Sequence, residues 1–400
     1  MKQYIALLKD EKVLRRLSTI QLISYFGAWF SNVAIYTLLL DLHVNAAIIA
    51  FVAMLNFLAG VIQAPLSGPI IDRIHPKKLM LSLIVVEIIA TFSLVMVHQL
   101  SDLWLLYLLV FLKMAAASFY FTTEMSLLPK ILDGAKLRVA NELHSIIWSL
   151  SYTLGMAISG FVVYWLGINT AFILDGMMFI AAFMLLYSME IEIEILKVEE
   201  NIIRMMQDTF IYLKNNPKAF HLMLLHSFVG LTAFDALVAL MVEKYYASFV
   251  AVSLALGLLH SARAIGLVVG PVFIGKWINN KRLVYIFIAQ GLAIWLWAYV
   301  MHNFYLSLAA SMLVGFFTTT LWSYSYTLLQ KNIEKKYYGR IVAYNDMLFL
   351  SSAAFTSYMI GHLATLSFSL PNITFFMGFG FIIGAVYYNF ILKKEKLEEV

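Results

Sequence analysis

Long apolar runs recur along this 400-residue chain, separated by short segments that contain charged residues or clusters of Gly, Pro and Asn. A helix needs about 20 apolar residues to cross roughly 30 Å of hydrocarbon. We therefore predict an all-α integral membrane protein with twelve transmembrane helices. Their predicted boundaries are 17–41, 45–71, 78–98, 102–127, 140–165, 168–189, 219–242, 249–275, 282–301, 304–329, 341–365 and 371–392.

The composition excludes several classes of protein. Hydrophobic residues make up 62% of the chain and charged residues only 13%, whereas about a quarter of the residues in a soluble domain are charged. The Lys and Arg residues are dispersed in small groups between the apolar runs, so we expect no basic face that would bind nucleic acid. The absence of cysteine excludes disulfides, thiolate metal sites and cysteine nucleophiles.

The positive charges are distributed asymmetrically about the predicted spans. If the N-terminus lies inside, all but three of the 28 Lys and Arg residues fall in inside segments. Lys113 and Arg263 lie within spans, and Lys244 lies in an outside loop. Because short loops rich in Lys and Arg stay on the cytoplasmic side, we predict a multi-pass protein of a bacterial-type inner (plasma) membrane with both termini cytoplasmic.

One long interruption separates six spans from six, and part of it has the pattern of an amphipathic helix at the cytoplasmic membrane interface. The apolar residues of that pattern are Ile202, Met206, Phe210 and Leu213. We predict an N-terminal six-helix bundle over 1–189, a cytoplasmic linker over 190–218 and a C-terminal six-helix bundle over 219–400. The amphipathic segment serves either as a simple linker or in regulation.

The two halves of the chain resemble each other at an offset of roughly 202 to 204 residues. The pair Gly68-Pro69 reappears as Gly270-Pro271, and the basic pair Lys77-Lys78 as Lys281-Arg282. Parallel six-helix repeats related by an axis along the membrane normal are an architecture of transporters. The repeat predicts two pseudo-symmetric bundles.

The loop between the second and third spans carries a recognisable signature. It runs Gly-Pro-Ile-Ile-Asp-Arg-Ile-His-Pro-Lys-Lys, and its signature positions are Gly68, Asp72, Arg73, Lys77 and Lys78. The loop resembles the signature of the major facilitator superfamily, which has Gly, three residues, Asp-Arg, two residues and a basic cluster. The second Gly of that signature is replaced here by His75 or Pro76.

Other stretches are similar to the branch of macrolide efflux pumps and enterobactin exporters, among them FIYLKNNPKAFHLML entering the seventh span. A Pro that the branch often carries near the cytoplasmic end of the fourth span is absent. The resemblance implies a secondary transporter that works by alternating access. It also implies an inner gate in which Asp72 and Arg73 contact the beginning of the eleventh span, where Asp346 lies.

Two charged residues lie near the middle of adjacent spans in the first half, Glu87 in the third and Lys113 in the fourth. A charge at this depth is costly, so it faces the bundle interior and has a partner or a function. The two side chains either form a static ion pair that holds the helices together, or form a site where Glu87 binds and releases a coupling proton. Asp41 and Asp175 lie near outer span ends, where we expect interfacial roles.

The second half has charged residues of its own, Asp235 in the seventh span and Arg263 in the eighth. Their predicted depths differ by roughly 6 Å at 1.5 Å per residue, which long side chains can bridge. Asp235 is therefore a proton acceptor, a cation-binding group or the permanent counterion of Arg263.

The tenth span carries an aromatic and hydroxyl stripe at a spacing of four residues, formed by Thr318, Trp322 and Tyr326. Its counterpart in the fourth span contains Thr122 and Glu124. Aromatic faces supply contact area and hydroxyls supply adaptable hydrogen bonds, which suits a cavity for an amphipathic organic molecule. Helix packing by small polar residues is the alternative interpretation.

We predict a proton-coupled exporter of an amphipathic small molecule, drug-like or siderophore-like, with substrate, protons and membrane lipid as partners. Alternatives are an exporter of a metal ion or lysolipid, or a non-transporting membrane sensor. We expect a monomer without cofactor, enzymatic activity or nucleic-acid partner. We also expect no metal site, because the histidines lack metal-ligand spacing, and no use of ATP, because no phosphate-binding Gly-rich loop is present.

Overall fold

The computed structural model describes residues 2–71, 73–132, 134–191, 202–275, 277–334 and 337–397. The regular structure of these residues is helical. The α-helices are α1 (Lys2–Asp10), α2 (Lys12–Asp41), α3 (Ala46–Ile71), α4 (Pro76–Ser93), α5 (Leu103–Ile131), α6 (Gly134–Leu166), α7 (Ile168–Tyr187), α8 (Ile202–Asn215), α9 (Pro217–Ser227), α10 (Asp235–Met241), α11 (Val252–Ile274), α12 (Leu283–Val300), α13 (Phe304–Lys331), α14 (Tyr338–Thr365) and α15 (Leu370–Lys394).

Twelve helical segments of the described residues are long and apolar enough to cross a membrane. They coincide with the twelve predicted spans, so the predicted all-α fold is confirmed. Several helices extend beyond the predicted boundaries, as α2 does at its N-terminus. The prediction counted apolar residues, whereas backbone hydrogen bonding continues into polar segments.

The chain divides into two compact units. The first contains Met1–His43, Leu66–Val198 and Ala251–Ser261, and the second contains Val44–Pro65, Glu199–Val250 and Ala262–Val400. Each unit therefore includes a short segment from the other half of the sequence. The first unit gains the beginning of α11, and the second gains most of α3.

In the first unit, α2 packs against α6 and α7, and α4 packs against α5 and α7. The helices α2, α4, α5 and α7 thus surround a shared interior. Buried apolar side chains line it, among them Ile84, Leu127 and Phe179. The same interior also contains polar side chains from α2, α5 and α7 that contact one another.

In the second unit, α12 packs against α13 and α15, and α14 packs against α9. Glycines allow α11 to approach α13 closely. A Cβ atom at Gly266 would overlap the carbonyl oxygen of Met312, and a Cβ atom at Gly315 would overlap that of Arg263. Small residues at helix interfaces are the usual means of close packing within a membrane.

The seventh span is interrupted. The helix α9 ends at Ser227, a 3₁₀ segment covers Phe228–Thr232, and α10 begins at Asp235. A π-helical turn, Val242–Tyr246, follows α10. Breaks of this kind free backbone groups from helical hydrogen bonds, so another group has to satisfy them.

The predicted amphipathic segment forms α8. The side chains of Ile202 and Met206 lie outside the described residues. Phe210 is 71% exposed, whereas Tyr212 is buried. Tyr212 stacks on Tyr337 with 4.1 Å between ring centroids, so α8 packs on the segment that precedes α14.

Candidate functional site

A buried ion pair lies in the interior of the first unit. The ammonium of Lys113 on α5 lies 2.5 Å from Oδ2 of Asp175 on α7, and the two side chains are 6% and 0% exposed. The hydroxyl of Ser31 on α2 donates to the same oxygen. A Cβ atom at Gly27 would lie 2.6 Å from Oδ1 of Asp175, so the absence of a side chain there lets α2 approach the carboxylate.

Glu87 on α4 lies beside this pair and is buried. Its charge interacts with those of Lys113 and Asp175, but the ion pair of Lys113 is formed with Asp175. The interior therefore holds two carboxylates and one ammonium. Because an uncompensated buried charge is costly, this set is balanced when one carboxylate carries a proton.

The interfacial role expected for Asp175 is wrong. Its carboxylate is fully buried and bonded to two side chains from other helices. Asp175 lies two turns after the start of α7, and α7 packs against both α2 and α4. The position of Asp175 near the end of the predicted span suggested that its carboxylate is hydrated. The side chain, however, projects from the face of α7 that packs on the interior.

Glu124 belongs to a second buried polar group of the same unit. It is 2% exposed, and Nε2 of Gln21 lies 3.4 Å from its Oε2. The same amide contacts Nδ1 of His144 on α6. Thr122, the other predicted cavity residue of α5, donates to the Ser118 carbonyl of its own helix at 2.9 Å.

Arg263 on α11 interacts with the break in the seventh span. Its Nη2 donates to the carbonyl oxygen of Thr232 at 3.0 Å, and its guanidinium lies 5.0 Å from the ring centroid of Phe234. Both contacts lie in the break just before Asp235, which is the first residue of α10. Arg263 therefore satisfies a backbone group that the break leaves free.

The predicted stripe of α13 divides between two environments. Thr318 is buried and hydrogen-bonds with Gln290 of α12, with 3.2 Å between its Oγ1 and the amide nitrogen. Trp322 is 41% exposed and stacks on Tyr326 with 5.1 Å between ring centroids. The aromatic part of the stripe thus presents a partly open surface, whereas Thr318 contributes to helix packing.

A histidine packs beneath these aromatic side chains. His226 on α9 is buried, and its Nδ1 lies 2.8 Å from the hydroxyl of Ser325. Its ring lies within 5.8 Å of the ring centroids of Trp322, Tyr326 and Phe349. Sequence reasoning missed His226, because helical spacing within one span cannot reveal partners on another.

The predicted gate motif is described in part. Asp72 lies outside the described residues, and Gly68 lies in the last turns of α3. Arg73 and Lys78 are exposed, whereas Nζ of Lys77 donates to the Tyr187 carbonyl at 2.9 Å. Lys77 thus caps the C-terminal end of α7, as cations commonly do.

Asp346 lies in the third turn of α14, and Nδ2 of Asn345 lies 3.4 Å from its Oδ1. Among the described residues, no group of three or more His, Asp or Glu side chains is placed to hold a metal ion.

The sequence model of the Major Facilitator Superfamily matches residues 17–253, which is more than half of the chain. This chain belongs to the major facilitator superfamily. Members are secondary transporters, which agrees with the buried ionisable groups and the discontinuous span.

The chain is also similar to an uncharacterized MFS-type transporter, YfiS, from Bacillus subtilis strain 168. The two are 27% identical over 183 residues, which cover 45% of this chain and 43% of that relative. The matched region thus spans less than half the length of the curated relative.

Solved structures show the same fold. One is the nucleoside transporter NupG, with a TM-score of 0.72, 11% identity and coverage of 96% of this chain and 100% of the other. Another is a bacterial homolog of the human lysosomal transporter Spinster, in an inward-facing and occupied conformation. Its TM-score is 0.74 at 12% identity, with coverage of 96% of this chain and 97% of the other.

Proposed function

We propose that this protein is a proton-coupled exporter of an amphipathic small molecule in a bacterial-type inner membrane. The observation that carries the proposal is the arrangement of Glu87, Lys113 and Asp175. Lys113 is paired with Asp175, so Glu87 is the carboxylate without an ammonium of its own. It binds a proton in this conformation and releases it when the interior becomes hydrated.

The aromatic surface of the second unit supports the choice of substrate class. Trp322 and Tyr326 offer apolar area together with an indole N–H and a phenol hydroxyl, and the buried imidazole of His226 packs against both rings. Binding sites for organic molecules commonly combine a large aromatic surface with a few polar groups. An export pump for drug-like or siderophore-like molecules has these requirements, whereas a metal exporter requires clustered carboxylates and imidazoles.

Two tight helix contacts support alternating access. In the first unit, a Cβ atom at Gly257 of α11 would lie 2.7 Å from the Met156 carbonyl oxygen of α6. In the second unit, a Cβ atom at Gly361 of α14 would lie 2.7 Å from the Ala46 carbonyl oxygen of α3. By the predicted topology, both contacts belong to the outer half of the membrane, and both join helices from different halves of the sequence. We expect them to separate when the transporter opens outward.

Reconstituted vesicles test the function. Purified protein is placed in liposomes that contain a pH indicator, and a panel of fluorescent amphipathic amines is offered under pH gradients of either direction. We expect substrate movement against its gradient, together with proton movement in the opposite direction. The Glu87→Gln variant is expected to bind substrate but not to concentrate it.

The matched control is Glu190→Gln, which makes the same change at an exposed position beyond α7. It should transport as the wild type does. Substrate accumulation by Glu87→Gln with the normal dependence on the pH gradient would contradict the assignment of Glu87. Transport by the wild type without any proton movement would contradict proton coupling itself.

A further inference from the structure

A second carboxylate of the first unit is buried without a cation. Glu124 lies on α5, with Gln21 of α2 and His144 of α6 as its polar surroundings. The imidazole of His144 packs edge-on against Tyr25 at 6.0 Å between ring centroids. The described residues form ion pairs between Lys113 and Asp175 and between Lys136 and Glu11, and neither pair involves Glu124.

The surroundings of Glu124 favour a proton on the carboxylate. The Gln21 amide and the phenols of Tyr25 and Tyr120 interact with it, and none of them is a permanent cation. An ionised carboxylate in such a place lacks the compensation that ion pairs or several hydrogen bonds provide. A bound proton removes the charge and supplies a donor to the neighbouring oxygen and nitrogen atoms.

A phenol lies between this carboxylate and the ion pair described above. Tyr120 precedes Glu124 by one turn of α5, about 6 Å along the axis. Its buried hydroxyl makes no hydrogen bond to the described part of the protein, and it interacts electrostatically with both Glu87 and Glu124. Since buried hydroxyls are normally hydrogen-bonded, this one can accept or donate a hydrogen bond when a side-chain movement brings either carboxyl group within reach.

The groups therefore follow one another along α5. Lys113 comes first and has Asp175 and Glu87 beside it. Tyr120 and then Glu124 follow, so that the three α5 residues extend over about 16 Å of helix axis. By the predicted topology, the order runs from the middle of the membrane toward the cytoplasm. The titratable groups that interact with Glu124 are Tyr25 of α2 and Tyr120 of α5. His144 of α6 contacts the amide of Gln21, which donates to Glu124.

We propose that Glu124 is a second proton-binding site, held by Gln21, that exchanges a proton with Glu87 through the hydroxyl of Tyr120. Glu124 first releases its proton toward the cytoplasm. The carboxylic acid of Glu87 then gives its proton to the Tyr120 oxygen while the original hydroxyl proton passes to the Glu124 carboxylate. One proton moves, Tyr120 is regenerated, and Glu87 becomes the carboxylate. This inference rests on the proposed proton coupling at Glu87 and assigns to Glu124 the next step toward the cytoplasm.

Infrared spectroscopy tests the site without measuring transport. Full-length protein in lipid nanodiscs is recorded at neutral pH in H₂O and D₂O, and the C=O stretch of protonated carboxyl groups is compared between variants. Wild type should show a band that Glu124→Gln lacks. The matched control Glu142→Gln, at a half-buried carboxylate on α6 that accepts a hydrogen bond from Tyr4, should retain the band. An unchanged band in Glu124→Gln would overturn the proposal.

Two further variants complete the test. Glu124→Asp keeps a carboxyl group and should keep the band at a shifted frequency, which guards against a loss that reflects misfolding alone. Tyr120→Phe removes only the hydroxyl and should slow proton release after a pH jump by about tenfold or more, while the carboxyl band that depends on Glu124 persists. Release at the wild-type rate would overturn the role of Tyr120. If wild-type vesicles show no proton coupling but the band depends on Glu124, the proposed function fails while the proton site stands.

Discussion

The ammonium of Lys113 and the Oδ2 atom of Asp175 lie 2.5 Å apart, in an interior where neither side chain is appreciably exposed. A buried pair of this kind contributes little by itself, because desolvation offsets the attraction. Removing one partner, however, leaves the other as an uncompensated charge. Asp175 and Glu87 therefore have different roles, although both carboxylates lie beside Lys113.

Asp175→Asn should destabilise the protein by about 3–5 kcal/mol, because the Lys113 ammonium loses its counterion. Glu87→Gln should change stability much less, since Glu87 is outside the ion pair. Thermal unfolding in detergent measures the difference, and the double variant Lys113→Met with Asp175→Leu should recover most of the loss. Equal destabilisation by the two single variants would contradict the pairing.

Arg263 should stabilise the break in the seventh span. Arg263→Gln removes the donor to the Thr232 carbonyl and the contact with Phe234, so we expect a loss of about 1–3 kcal/mol. Thermal unfolding in detergent measures the loss, and Arg73→Gln, at an exposed position, is the control. Equal midpoints for the two variants would contradict this role of Arg263.

Gly315→Ala should destabilise the protein by about 1–3 kcal/mol, because the added methyl group would overlap the Arg263 carbonyl oxygen and force α13 away from α11. Gly339→Ala is the matched control, since a Cβ atom there would meet no heavy atom within 4 Å. The midpoint of thermal unfolding distinguishes them. Similar midpoints for both variants would argue against close packing of α11 and α13.

Trp322→Ala should weaken binding of an amphipathic substrate by about tenfold, because the largest partly open aromatic side chain of the stripe is lost. Trp322→Phe should retain most of the affinity. Trp165→Ala serves as the control, since Trp165 is 70% exposed at the end of α6. Equilibrium binding of a transported amine to detergent-solubilised protein provides the measurement. Equal losses for the two Trp→Ala variants would count against a binding role.

Both termini should lie in the cytoplasm, as the distribution of Lys and Arg indicates. A reporter active only in the periplasm and one active only in the cytoplasm are each fused after Val400. The cytoplasmic reporter should be active and the periplasmic one silent. The opposite pattern would reverse the assignment of inner and outer sides used above.

Much of the fold could be predicted from the sequence. The thickness of the bilayer acts on each apolar run separately, so run length alone identified twelve spans without any tertiary information. The repeats and the loop signature indicated a transporter fold. The candidates Glu87, Lys113 and Glu124 were found for a similar reason, since a charged residue inside an apolar run is visible in the sequence.

Pairings depended on tertiary structure. Depth along a helix follows from residue number, but the direction of a side chain and the identity of the facing helix do not. A static ion pair of Lys113 with Glu87 of the adjacent span was therefore one of the two alternatives predicted, while the structure pairs Lys113 with Asp175 of α7. Arg263 likewise donates to the Thr232 carbonyl, a backbone group that the break before Asp235 frees from helical hydrogen bonds and that no apolar pattern reveals.

The sequence by itself therefore determined the environment and the number of helices, because both depend on the local free energy of transferring a segment into lipid. Only the tertiary structure decided which polar groups meet. Those contacts join residues far apart in the chain, such as Gln21, Glu124 and His144, and they depend on how helices rotate and pack against one another.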